Sequence, residues 1–222
     1  MRITSDQEAI RRFDSPESAT KYAAALPGTN VDRREHRALR IALAGVPAGS
    51  AVLDLPSGTG RLLRLLSCSL GYKVTEADSS PHMLQLARQH ATWQNLDMPP
   101  ERFCVADVMK TPFADDAFDA VVCNRLFHHF REPAVRRQGL VELRRISKGP
   151  IIVSFFRSPT WGAMTFRLKY ALRMRKPTDR IPISLATFQS DVHAAGLKIA
   201  QTVSVRPLIS KNCYVVLERF SE

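Results

Sequence analysis

Long apolar runs are missing from this chain. The longest, such as Pro150 to Phe156, fall far short of the roughly 20 residues that cross a bilayer. The start, Met1 to Arg12, carries charge but no apolar signal core. No transmembrane segment or secretion signal is therefore expected, and the chain reads as cytoplasmic. Cysteine is scarce: Cys68, Cys104, Cys123 and Cys213 form neither the close CxxC pairs of a zinc or redox site nor the density of a disulfide scaffold. Buried, reduced thiols and no metal centre are expected. There is no GxxxxGK followed by Ser or Thr, so a P-loop is excluded. Repeats and low-complexity stretches are absent too. What remains is an ordinary globular composition, 45% hydrophobic and 24% charged over 222 residues, enough for one full-sized domain or two small ones. Nothing between the apolar runs looks like a linker, which favours one.

Acids are the scarcer charge, 21 against 32 Lys and Arg. The imbalance sits in one quarter of the chain: Arg125 to Arg180 holds 14 basic residues and three acids, while the rest balances at 18 against 18. Any pull on an anionic partner is expected from this stretch. Solvated helix faces, anionic metabolites and lipid headgroups explain such a stretch as well as RNA does, and specific nucleic-acid binding is not the favoured reading.

Ala51–Leu55, Lys73–Ala77, Phe103–Val105, Ala120–Cys123 and Ile151–Phe156 are short apolar runs separated by helix-like stretches. They read as buried parallel strands. Arg61–Leu70, Pro81–His90 and Ala134–Ile146 carry apolar residues three and four apart, as crossover helices should. After Arg157 come a basic amphipathic stretch, a helix near Leu185–Ala195 closed by Gly196, and two β-like runs, Lys198–Val205 and Cys213–Arg219. The first forty residues are polar and helix-prone, broken at Pro27 and Gly28, and are expected to cap the ligand edge of the sheet.

The stretch Val52-Leu53-Asp54-Leu55-Pro56-Ser57-Gly58-Thr59-Gly60 is a strand running into small residues and then a helix near Arg61. Gly58 and Gly60 permit a tight turn, and free N–H groups at the helix start can hold a polar ligand group. A dinucleotide fingerprint wants a third glycine where Leu63 stands. Asp78 ends the second strand, where an acid can accept both hydroxyls of a ribose. Asp107 lies just past the third. Three acids at successive strand ends point into one crevice.

From Val52 to Phe156 the sequence resembles the class I S-adenosylmethionine-dependent methyltransferases, especially the small-molecule group that includes ubiquinone and menaquinone ring C-methyltransferases. Val52 to Gly60 resembles that group's VLDLGCGTG motif, Ala77-Asp78-Ser79-Ser80-Pro81-His82-Met83-Leu84 its ribose motif, and Ala106-Asp107-Val108 with Phe118-Asp119-Ala120-Val121-Val122 its adenine loop and fourth strand. The resemblance implies an α/β, Rossmann-like doubly wound sheet of seven strands, mostly parallel, with an antiparallel last strand near Cys213–Arg219. It implies a single domain over 1–222: an N-terminal helical cap at 1–45, a cofactor-binding core at 46–156, a basic lid at 157–182, and a C-terminal helix and strands at 183–222. The implied cofactor is S-adenosyl-L-methionine, leaving as S-adenosyl-L-homocysteine. The implied cofactor set is Asp54, Ser57 and Gly58 toward the methionine portion, Gly60 in the turn, Asp78 and Ser79 at the ribose, Met83, Asp107 and Val108 at the adenosine, and Asn124.

Three departures stand out. Pro56 replaces the first glycine of the motif and removes one N–H. Ser147-Lys148-Gly149-Pro150 stands where the group often has KPGG. Asn124-Arg125-Leu126-Phe127 is not the NPPY or DPPY of amino-group methyltransferases. Methyl transfer is an in-line displacement in which the protein mainly aligns and desolvates. If a proton must leave the acceptor, His128 or His129 after the fourth strand is the candidate base. On a helix over Trp161–Lys176, Lys169, Arg173 and Lys176 would share a stripe at about 100 degrees per residue, beside Phe166, Tyr170 and Met174. Such a lid suits a small amphipathic or anionic acceptor, quinone- or lipid-like, reached at a membrane surface, or simply packs over the sheet. The alternatives are an RNA or protein methyltransferase using the 125–180 surface, and a non-catalytic cofactor-binding scaffold.

Overall fold

The computed structural model describes Glu17 and residues 28–161, 163–165, 168 and 182–220. The apolar runs form β1 (Ala51–Asp54), β2 (Lys73–Asp78), β3 (Phe103–Val105), β4 (Ala120–Cys123) and β5 (Ile151–Ser158). The C-terminal part adds β6 (Ile183–Ser184), β7 (Leu197–Ser204) and β8 (Asn212–Arg219). Among the described residues, four complete α-helices accompany them: α1 (Asn30–Ala42), α2 (Pro81–Trp93), α3 (Pro133–Ile146) and α4 (Leu185–Ala194). Their starts are written in the sequence. The Ser80 hydroxyl accepts from Met83 N–H with Pro81 opening α2, and Ser184 accepts from Thr187 N–H to open α4. Gly196, at φ +75°, ends the turn after α4.

The strands order as β3-β2-β1-β4-β5-β8-β7, with β6 paired to the end of β5. Strands β1 to β5 are mutually parallel, and β8 runs antiparallel to both β5 and β7. The path therefore has the seven strands and the antiparallel final strand expected, and the two-residue β6 is an eighth. Chain direction across the sheet reverses beside β1, which opens a crevice at the carboxyl ends of β1 and β4. Both faces of the sheet are covered. Leu53, Val121, Val153 and Val215 pack with Leu140 and Leu143 of α3 and Phe188 of α4. Val52, Val74, Val122 and Ile152 pack with Leu39 of α1 and Ala87 of α2. Alternate residues of each strand feed opposite cores, and each fully buried Val or Leu contributes about 1.5–3 kcal/mol.

Several expectations are corrected. The stretch Arg61–Leu70 is no regular crossover helix. It carries a π-helix at Leu65–Ser69, closed by Leu70 N–H on Leu65 C=O at 3.1 Å. The Ser67 hydroxyl donates to Leu63 C=O four residues back at 2.8 Å and takes up the acceptor that an α-helical ladder would use. Of the thiols, Cys123 and Cys213 are buried, but Cys68 is exposed and Cys104 half-buried; all four are free. Most described members of the basic quarter are held in ion pairs within the chain, although only Arg136 among them is buried. Of its eight described members, Arg125 pairs with Glu35, Arg136 and Arg137 with Asp191, Arg145 with Glu142 and Asp115, and Lys148 with Asp119. The other six, including the Lys169, Arg173 and Lys176 stripe, lie outside the described residues, as do Phe166, Tyr170, Met174 and most of the N-terminal segment.

Arg136 is the clearest case. Its guanidinium, 2% exposed, donates to Asp191 at 2.7 Å and to the carbonyls of Phe130 and Arg131 at 3.1 and 2.7 Å, joining α3, α4 and the segment before α3. Arg136→Ala leaves those acceptors without their donor, and a loss of about 3–5 kcal/mol is expected in urea unfolding. Arg137→Ala, whose donor side chain is half-exposed, should cost under about 1 kcal/mol.

Candidate active site

A cavity of about 300 Å³ opens at the carboxyl edge of the sheet. Its first half is built by local backbone. The turn after β1 folds back on β2: Ser57 N–H donates to Ala77 C=O at 2.8 Å, and Gly58, at φ +57°, donates its N–H to Asp78 Oδ2 at 2.8 Å. Ser80 N–H donates to Asp78 Oδ1 at 2.9 Å. Two backbone donors thus fix the orientation of the Asp78 carboxylate. Three N–H groups of the turn are used within the fold. Gly58 N–H turns onto Asp78, and Gly60 and Leu63 N–H donate to carbonyls within the turn.

Of the ten residues expected to hold the cofactor, nine line this cavity, with both histidines. Gly60 does not. It has φ +73°, and a Cβ there would stand 3.2 Å from Ala87 of α2, so its place is the close packing of turn on helix. Asp107 caps its own loop, Oδ1 accepting Met109 N–H at 2.9 Å. Asn124 Oδ1 accepts from the Ser154 and Tyr214 hydroxyls at 2.9 and 3.0 Å, which fixes its amide plane. His128 and His129 share a short 3-10 turn, Phe127–His129, and both are buried.

Two carboxyls are anomalous. Asp54 on β1 and Glu76 on β2 are register partners, both essentially inaccessible to water, and none of their four oxygens has a hydrogen-bond partner. Burial pushes the Asp54 carboxyl up to about 8, against the pull of Arg61 and with Asp78 adding to the rise. Burial and then the neighbouring Asp54 push Glu76 well above the carboxylate range. A buried carboxyl without partners is costly. S-adenosylmethionine fits this site: its ammonium and sulfonium would bring positive charge to the Asp54 carboxyl, whose oxygens have no hydrogen-bond partner, and its ribose would meet the pre-set Asp78.

The second half of the cavity draws on residues that sequence reasoning missed. From α1, Glu35 reaches in fully buried and accepts from Arg61 at 2.9 Å, Arg125 at 2.8 Å and Asn212 at 2.8 Å. Arg61 also pairs with Asp32. Arg125 adopts φ +61°, its N–H held by the Ser154 hydroxyl at 2.6 Å. Phe156 at the end of β5 stacks on His128, with ring centroids 3.9 Å apart and planes 5° from parallel. Lys211, before β8, places Nζ 4.2 Å from the Phe156 centroid.

Comparison with known proteins agrees with this architecture. Residues 52–149 match the family model described as a methyltransferase domain. The demethylmenaquinone methyltransferase of Thermus thermophilus is 37% identical over 172 residues, 76% of this chain and 71% of that protein. The enzyme of the same name from Clavibacter sepedonicus is 35% identical over 149 residues, and there the match spans 57% of the relative's length. Among solved structures, magnesium protoporphyrin IX methyltransferase from Synechocystis with bound S-adenosylhomocysteine superposes with TM-score 0.74 at 17% identity, covering 96% of this chain and 99% of that one. The chain belongs to the class I S-adenosylmethionine-dependent methyltransferases, in the small-molecule group that holds the quinone-biosynthesis enzymes.

Proposed function

We propose that the protein methylates a ring carbon of a small, lipid-like acceptor of the reduced-quinone class. The observation that carries this reading is the division of the cavity. One half presents Asp54, Asp78 and Asp107 to a cationic nucleoside. The other continues into an aromatic and imidazole-lined space, with Phe156, His128 and His129. The relatives named demethylmenaquinone methyltransferases support it.

Bound S-adenosylmethionine supplies a methyl already activated on sulfur. The protein's own residues do the rest. Asp78 orients the ribose, Asp54 offsets positive charge, and the Glu35 cluster closes the wall. The imidazole of His128 or His129 accepts the proton that leaves the ring as the new carbon–carbon bond settles. A neutral imidazole near pH 7 suits that task.

Exposed apolar side chains and nearby arginines support a membrane-borne acceptor. Trp161, Leu208 and Ile209 are 67%, 79% and 47% exposed, and Trp161 N–H donates to Leu208 C=O at 3.0 Å, which ties the two segments together. Arg34 and Arg37 of α1 line a cleft with Arg206, two residues before Leu208 in the chain. Apolar side chains with arginines close by in the chain match the interface of an anionic bilayer. Among the described residues no helix is long and apolar enough to cross it. The protein should sediment with phosphatidylglycerol vesicles and much less with phosphatidylcholine ones, and Leu208→Glu should weaken sedimentation several-fold.

Calorimetric titration with S-adenosylhomocysteine, followed by incubation with reduced demethylmenaquinone and labelled S-adenosylmethionine, tests the main reading. We expect binding that Asp78→Ala weakens at least about 10-fold, as loss of charge-assisted hydrogen bonds does, and label in the ring. Binding without label in this acceptor would sink the quinone assignment.

Asp54 makes a separate prediction. Its carboxyl stays protonated in the native protein up to about pH 8, whereas in the unfolded chain it ionises near pH 4. The ligand-free protein therefore loses stability as pH rises from about 4 to about 8. Asp54→Asn removes the share of that slope due to Asp54 and leaves that of Glu76, so the variant should melt higher than wild type at pH 8 and alike at pH 4. Affinity for S-adenosylmethionine should climb from pH 6 to 9 in wild type, as the carboxylate forms, and stay low and flat in Asp54→Asn.

A further inference from the structure

Helix α1 divides its charge by face. Its acids turn inward: Asp32 and Glu35 are buried and bonded to Arg61, with Glu35 also on Arg125 and Asn212. Its arginines turn outward, and Arg33, Arg34, Arg37 and Arg40 are all exposed. Arg34 and Arg37 line a second cavity, of about 360 Å³, between α1 and the connection from β7 to β8, where Arg206 joins them. No acid stands three or four positions from Arg34 or Arg37, and none occurs from Val203 to Lys211. Among the described residues none of these three guanidinium groups has an ion pair or a hydrogen bond. Like charges one helical turn apart repel, and a third cation in the same cleft adds to the repulsion. An anion shared by the three reverses the sign.

The rest of the lining says which anion. Ile41, Val205 and Pro207 belong to the same cleft, so cationic and apolar side chains share one wall. Ile41 is 46% exposed, and beyond Arg206 and Pro207 the chain runs into Leu208 and Ile209, 79% and 47% exposed. Free phosphate gains nothing from apolar surface, whereas an amphiphile buries carbon against it. Guanidinium forks match phosphate oxygens in pairs. Val205 lines the cavity at the sheet's edge as well, so a ligand held in the cleft borders the candidate active site.

We infer that the cleft between α1 and the β7–β8 connection binds the phosphate of an anionic lipid through Arg34, Arg37 and Arg206, with the glycerol and first acyl carbons against Ile41 and Val205. In assigning a lipid, the inference rests on the reading that the acceptor is reached at a membrane surface. It adds a headgroup site to that surface: one lipid holds the protein beside the bilayer, while a different membrane molecule enters the adjoining cavity.

The test titrates dihexanoylphosphatidylglycerol, kept below its micelle concentration, into the full chain saturated with S-adenosylhomocysteine, and follows binding by calorimetry. Inorganic phosphate and a decauridylate are titrated beside it. Arg34→Gln/Arg37→Gln and Arg206→Gln are compared with Arg33→Gln/Arg40→Gln, which removes as much charge as the first variant from the same helix but outside the cleft. The lipid should bind wild type, at least about 10-fold more weakly to Arg34→Gln/Arg37→Gln, as loss of charge-assisted hydrogen bonds does, and several-fold more weakly to Arg206→Gln. Arg33→Gln/Arg40→Gln should bind it like wild type. All four proteins should bind S-adenosylhomocysteine alike, since none of the substituted residues lines that cavity. Equal losses in the two double variants would overturn the inference, because diffuse attraction would then explain the binding. So would failure of the lipid to bind wild type, or binding of phosphate or the oligonucleotide as tight as that of the lipid. Vesicle sedimentation separates this site from the membrane reading. Phosphatidylglycerol vesicles that carry down Arg34→Gln/Arg37→Gln as well as wild type overturn the site and leave the membrane reading standing. Variant-sensitive binding of the monomeric lipid, without sedimentation of wild type, removes the membrane reading and leaves the lipid-phosphate site standing.

Discussion

A single carboxylate shut off from water, that of Glu35, holds the walls of this site together. It receives guanidinium groups from the turn after β1 and from the end of β4, and an amide from the start of β8. Those three segments leave different strands of the sheet, and α1 brings the acid to them from outside it. A buried carboxylate without partners would be prohibitively costly, and two buried arginines without one equally so. Each makes the other's burial tolerable, so the cluster forms as a unit or not at all. The sheet fixes where the crevice is; the Glu35 cluster fixes its width and gives it a roof.

The cofactor half contrasts with this, because there two buried carboxyls lack hydrogen bonds. Asp78 is fixed by two backbone N–H groups, while Asp54 and Glu76 have none. The protein satisfies its own arginines around the acceptor space and leaves its acids wanting where a cationic nucleoside is to enter. That arrangement costs stability in the empty protein and returns it as binding, since the ligand adds positive charge beside the buried carboxyls. It also explains why the large formal charge says so little about partners. Arg125, Arg136 and Arg137 of the basic quarter are tied to Glu35 and Asp191, and composition alone cannot tell an arginine that faces solvent from one that fastens two helices.

The fold was legible to within a residue or two at most strand and helix ends, because buried parallel strands need contiguous Val and Ile runs and the helices carry their caps as Ser80-Pro81 and Ser184. The cofactor residues were legible for a related reason. They sit at successive strand ends or in the turn that follows, so each acid's position along the chain also gives its position in the crevice. The π-helix after the glycine turn was not legible, since it hinges on the Ser67 hydroxyl choosing Leu63 C=O. Asp32 and Glu35 were hidden by the ordinary rule that acids on a polar helix face water. Only the folded neighbourhood shows that their face of α1 is the buried one.

Phe156 and Lys211 were beyond reach for a different reason. They are 55 positions apart, and antiparallel pairing brings them together, with Phe156 opposite Asn212, the residue after Lys211. This contact depends on β8 inserting between β5 and β7. Were β8 at the sheet's edge, the loop before it would stand away from the crevice and the lysine would be a solvated surface charge. Inserted, that loop meets the end of β5, and Arg157 N–H pins Lys211 C=O. The topology that sets this sheet apart from a dinucleotide-binding fold thus also delivers a cation to the cavity. The parallel strands bring the acids to the crevice, and the strand that runs against them brings a lysine.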